Sequence, residues 1–102
     1  MSRRCPECLG EVTRPGGAIF CTPAHKATYQ NRMTVRGRVL TPLSMTDRIT
    51  RGGTRRDKET GKRARHEAQR LIDAWVVEDR EAKRMPVDEY VAFRRRMGHA
   101  WR

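Results

Sequence analysis

Four residues near the start of the chain have the types and spacing of a metal site: Cys5-x2-Cys8-x12-Cys21-x3-His25. A Cys-x2-Cys pair lets two thiolates converge from one tight turn. Cys21 and His25 lie four apart at a helix start, so both side chains face one point. The positive end of that helix also favours thiolate at Cys21. Three sulfurs and one imidazole nitrogen make the tetrahedral set that Zn²⁺ prefers. The expected cofactor is one structural Zn²⁺, because four protein ligands leave no coordination position open. Other readings of these residues stay open. Cys5 and Cys8 form a redox pair, although no βαβ pattern surrounds them; Cys21 and His25 act as nucleophile and base; or His66, His99 or a carboxylate takes the fourth place.

Something must hold the ligands together, and the local sequence supplies candidates. Cys5-Pro6-Glu7-Cys8 reads as a tight turn, and Glu11-Val12-Thr13 and Ala18-Ile19-Phe20 as short strands joined by Arg14-Pro15-Gly16-Gly17. Thr22-Pro23 opens a helix, with threonine as cap and proline at the first helical position. That helix is expected to reach about Val35 and stop at Gly37. Thr41-Pro42 repeats the start signal for a short helix ending at Gly52-Gly53, with Met45 and Ile49 on one side. Residues 51–63 read as a polar linker.

A long helix is expected from about Arg63 to Met85, with an apolar stripe of Ala64, Ala68, Leu71, Ile72 and Trp75. Asp79/Lys83 and Glu81/Arg84 have helical ion-pair spacing. Pro86 separates it from a last helix that carries Tyr90, Phe93 and Met97 and closes at Gly98. The expected fold class is small α+β, mainly helical: a zinc module of knuckle, short β-hairpin and helix over 1–37, a short helix and basic linker over 38–63, and a helical hairpin over 64–102.

Cys5-Pro6-Glu7-Cys8 together with Phe20-Cys21-Thr22 resembles the bacterial FCS-type treble-clef zinc fingers, and the finger of the DNA gyrase inhibitor group is similar. Lys26, Asn31-Arg32 and Arg36-Gly37 resemble the basic helix and Arg-Gly ending of some of these proteins. The resemblance spans residues 5–37. It implies a treble-clef-like module with Cys5, Cys8 and Cys21 as ligands and His25 in the usual place of a fourth cysteine. Leu9, between Cys8 and Gly10, is a second departure. The group includes protein inhibitors and nucleic-acid binders, so the resemblance by itself leaves function open.

Charge points toward a polyanionic partner. The 102 residues carry a net +11, and residues 1–65 hold 15 Lys/Arg against 5 Asp/Glu. Such a field attracts nucleic acid (DNA first) or an acidic protein surface. Candidate phosphate contacts are Lys26, Arg32, Arg36, Arg38, Arg48, Arg51, Arg55, Arg56, Lys58, Lys62 and Arg63. Arginine forks match phosphate oxygens bidentately, and a mobile Arg/Gly arm over residues 48–65 suits backbone contact. The plain alternative is a solvated, charged loop. Arg94-Arg95-Arg96 read as complements to a helix C-terminus.

No paired carboxylates, Ser/His/Asp set or cofactor fingerprint appears, and Gly53…Gly61-Lys62-Arg63 lacks phosphate-loop spacing. The expectation is a non-enzyme with no small-molecule substrate. The absence of a leader or an apolar span predicts a cytoplasmic protein with no membrane partner, and three cysteines in a reducing compartment fit a metal better than disulfides. Two functions fit: a regulatory nucleic-acid binder, or a protein-binding modulator or inhibitor of a larger bacterial machine.

Overall fold

Helix, without sheet, organises the chain. The structure, a computed structural model, describes residues 3–53, 55–99 and 101; the side chains of Arg55 and Arg56 also lie outside the described set. Among the described residues there are three helices, α1 Pro23–Thr50, α2 Arg55–Glu81 and α3 Val87–Arg96. They divide into two compact units, residues 1–31 with 76–102, and residues 32–75.

The α+β expectation, with a short β-hairpin in a treble-clef-like module, is corrected: the described residues form no strand. Pairing is limited to one isolated antiparallel bridge between Arg4 and Glu11, extended by the Val12 N–H donating to the Arg3 carbonyl at 2.8 Å. The reason lies in one side chain. The Arg3 guanidinium donates to the carbonyls of Arg14 (2.5 Å), Ala18 (2.6 Å) and Gly16 (2.9 Å). Those oxygens have a partner without a ladder, and Pro15 has no N–H to give one.

In the first unit α1 starts where Thr22-Pro23 predicts. The His25 N–H donates to Thr22 Oγ1 at 3.1 Å, a side-chain cap of the first turn. Cys5, Val12, Ile19, Phe20, Tyr29, Met85, Tyr90 and Phe93 form the buried core. Its centre is aromatic: Phe20 and Tyr29 have ring centroids 5.4 Å apart, and Tyr29 and Tyr90 4.8 Å.

α2 ends before Pro86, at a residue no glycine marks. Lys83 has φ +57, and the N–H groups of Lys83 and Arg84 return to the carbonyls of Arg80 and Asp79. This is a Schellman closure with lysine in the left-handed position. It also alters the expected ion pairs. Arg84 donates to the buried Asp79 at 2.9 Å and lies 3.4 Å from Glu78 and 3.9 Å from Glu7. Pro86 caps α3, which closes at Gly98 with φ +73 as expected.

The second unit is an antiparallel helical hairpin, since its contacts pair rising numbers on α1 with falling numbers on α2. The Arg36 guanidinium lies 5.4 Å from the Trp75 ring centroid, Asp47 pairs with Arg65 at 3.0 Å, and Gly61 faces Thr50. This pairing accounts for two misread boundaries. α1 runs through both Gly37 and Pro42. A glycine costs about 1 kcal/mol in a helix, and proline about 3; the packing on either side of them offsets both. Residues 55–63, expected in a linker, are helical, because α2 reaches back to meet the end of α1. Ala64 and Ala68 are buried and allow close approach, Leu71 and Trp75 are half-buried, and Ile72 is exposed.

Candidate metal centre and basic surface

The N-terminal turn folds around its own sulfur. The Cys5 N–H donates to the Gly10 carbonyl and the Leu9 N–H to the Cys5 carbonyl, both at 2.8 Å. The Gly10 N–H then points at Cys8 Sγ, 3.3 Å away. A Cβ at residue 10 would stand 3.1 Å from that sulfur, so glycine keeps the approach open. Leu9 takes φ +62 to complete the turn. The turn is fixed from behind by the Met85 N–H, which donates to the Pro6 carbonyl at 3.0 Å, and by the Glu7–Arg84 pair.

Cys21 precedes the cap of α1 and His25 lies on its first turn, so the helix brings this second pair to the first. One ligand atom from each of Cys5, Cys8, Cys21 and His25 lies within 4.8 Å of the others. Cys8 Sγ is 3.6 Å from Cys21 Sγ, Cys5 Sγ is 3.9 Å from His25 Nδ1, and Cys21 Sγ is 3.1 Å from His25 Nδ1. A tetrahedral ion with sulfur ligands at ~2.3 Å has edges of about 3.8 Å, so the four atoms fit around one ion after a small opening of the Cys21–His25 edge. Cys5 is fully buried and Cys8 exposed. Among the described residues this Cys3His group can hold a metal ion. His66 and His99, the alternative fourth ligands, are not in it.

The sulfurs are electrostatically divided. Burial alone would push the Cys5 thiol up, yet hydrogen bonds from the backbone at Cys21, Cys8 and Glu7 and from the His25 ring outweigh it and bring it down to about 7. Burial and the neighbouring Cys8 and Cys5 thiols push Cys21 up to about 11. Three thiolates in one sphere repel one another unless a cation sits among them, and a bound divalent cation reverses the direction at Cys21.

The expected phosphate contacts are dispersed. Lys26 is exposed in the first turn of α1, and Arg38, Arg48, Lys58 and Lys62 are exposed along the two hairpin helices. Arg32 is half-buried. Arg36 is buried at 8% exposure, stacked on Trp75, which takes its guanidinium off the surface. Arg51 pairs with Asp47 at 3.1 Å and Arg63 with Glu59 at 3.6 Å. The side chains of Arg55 and Arg56 lie outside the described residues. Where a mobile arm over 48–65 was expected, α1 runs to Thr50 and α2 starts at Arg55; Arg48, Lys58, Lys62, Arg63 and Arg65 stand on these helices, and Arg51 lies in the turn after α1. Overall, residues 32–75 contain 12 Lys/Arg against 5 Asp/Glu.

Reading along the sequence missed a second basic group. Arg14, Lys26, Arg94 and His99 come from three separate segments and line one cleft; no spacing rule joins them. None of the helices is long and apolar enough to cross a membrane, among the described residues. Comparison of the chain with protein-family models, with curated proteins and with solved structures finds no match.

Proposed function

We propose that the protein is a non-enzymatic, zinc-stabilised helical protein of the cytoplasm that binds nucleic acid through its basic surface in a regulatory role. The metal is assigned as zinc because three sulfurs and one imidazole form a closed, soft donor set. Its role is to hold the Cys5–Gly10 turn against the start of α1, where no sheet does so. The zinc-finger resemblance of residues 5–37 supports this choice of metal. DNA is the first candidate target.

The observation that carries the nucleic-acid reading is the excess of basic residues over 32–75, with Arg38, Arg48, Lys58 and Lys62 exposed on helices. Arg38 and Arg48 are ten residues apart on α1, about 15 Å along its axis, so they would meet different, non-adjacent phosphates. Binding of a labelled duplex and of a single strand is measured as salt is raised. The reading expects log K to fall linearly with log salt, and R38Q/R48Q to reduce the slope by about 2 on every sequence tried. An affinity weaker than ~10⁻⁴ M near physiological salt ends it. A second reading, a protein-binding modulator, draws on the exposed Val35, Val39, Met45 and Ile49 along α1.

A further inference from the structure

Several arginines of this protein are paired with carboxylates. Arg84 has Asp79, Glu78 and Glu7; Arg51 and Arg65 share Asp47; Arg63 has Glu59. One cluster of basic residues in the first unit lines a cleft of its own. A cleft of about 390 Å³ is lined by Arg14, Lys26, Gln30, Arg94 and His99 over a floor that includes Phe20, and no Asp or Glu lines it.

Two of these groups are fixed in place. Arg94 donates to the Tyr90 hydroxyl at 3.0 Å, and its guanidinium lies 4.3 Å from the Trp101 ring centroid. His99 Nε2 donates to the Gly17 carbonyl at 3.0 Å, while the His99 main-chain N–H closes α3 on the Arg94 carbonyl. Nδ1 of the same ring accepts in the neutral imidazole and donates to an anion only in the imidazolium form. Lys26 and Arg14 are exposed and make no ion pair among the described residues. The negative end of α3 accounts for Arg94 but not for Arg14 or Lys26, which come from other segments.

We infer that this cleft is an anion site that takes a backbone phosphate of a nucleic-acid strand, held by Arg14 and Lys26 between the fixed Arg94 and His99. The inference rests on the nucleic-acid reading above and places one contact point at the metal-binding unit, apart from the hairpin helices.

The test measures anisotropy of a labelled single-stranded oligonucleotide with the full-length, metal-loaded protein near physiological salt. It compares wild type with R14Q/K26Q and with R80Q/R95Q, which removes the same charge from exposed positions of the same unit outside the cleft. None of the four is a metal ligand or a buried core residue, and far-UV circular dichroism checks that both variants remain folded. The expected result is a loss of about tenfold or more for R14Q/K26Q, with the salt slope reduced by about 1–2, and a loss below about threefold for R80Q/R95Q. Equal losses would show a general field and overturn the cleft. Undiminished binding by R14Q/K26Q would overturn the cleft and leave the nucleic-acid reading standing. In a second arm, inorganic phosphate is titrated while the His99 ring and Lys26 are followed by NMR. Saturable shifts there, with no oligonucleotide binding by wild type, would assign the cleft to free phosphate and overturn both statements.

Discussion

Replacing Gly61 with alanine tests the helical hairpin at its tightest point. Helix propensity alone favours alanine by about 1 kcal/mol. The added methyl would run into Oγ1 of Thr50 and stand 3.0 Å from its Cβ. Thr50 Oγ1 donates to the Thr46 carbonyl at 2.8 Å, so turning the hydroxyl away forfeits a bond worth about 1 kcal/mol. Overpacking of a close helix–helix contact costs a further ~1–3 kcal/mol. Net destabilisation of about 1–3 kcal/mol follows, and at ~4–8 °C per kcal/mol for a chain of this size the thermal midpoint falls by roughly 4–24 °C. Circular dichroism on G61A, T50A and G61A/T50A forms a double-mutant cycle. The double variant should recover at least half of the G61A loss, since removing the hydroxyl removes the worst contact. A G61A protein as stable as wild type, or more so, would mean that α2 does not approach α1 at Thr50, and with it the helical assignment of residues 55–63 would fall.

Two smaller perturbations address other elements. Lys83→Gly should stabilise the protein by about 1 kcal/mol, because Lys83 holds a left-handed conformation that disfavours residues with a Cβ; an unchanged thermal midpoint would contradict the closure described for α2. Asp47 is held below the usual carboxylate value by hydrogen bonds from Arg51 and Arg65. Its contribution is therefore present above the unfolded value of ~3.9 and is lost as pH falls through the folded one. The difference in thermal midpoint between wild type and D47N should be small and positive at neutral pH and vanish under acid conditions, and a difference that grows in acid would reverse the assignment.

What the sequence made legible was local chemistry. Cys-x2-Cys and Cys-x3-His each describe one turn of backbone, so spacing alone identified the four residues that converge. Thr22-Pro23 and Gly98 act within one turn as well, and both mark helix boundaries in the structure. The misread features depend on partners far along the chain. The expected β-hairpin is replaced by Arg3 reaching three carbonyls, a contact without periodicity. Gly37 and Pro42 failed as stops because their helix packs on residues 61–75. Gly61 looked like part of a flexible linker, yet its missing side chain is what lets two helices meet. Arg36 looked like a surface cation, and Trp75, thirty-nine positions later, buries it. The cleft of Arg14, Lys26, Arg94 and His99 is likewise tertiary.

The metal is the centre of the account, because the turn at Cys5–Gly10 and the start of α1 share no sheet and few large apolar residues. Structural zinc contributes on the order of 10–16 kcal/mol in small domains, enough to decide whether this segment folds. The most direct measurement is metal content of protein purified without chelator, joined to X-ray absorption at the zinc edge. One zinc per chain is expected, with three sulfurs at about 2.3 Å and one nitrogen at about 2.0 Å; the metal is retained in H25C and lost in C21A. Protein that is folded and metal-free, or a C21A variant that keeps its full complement, would contradict it.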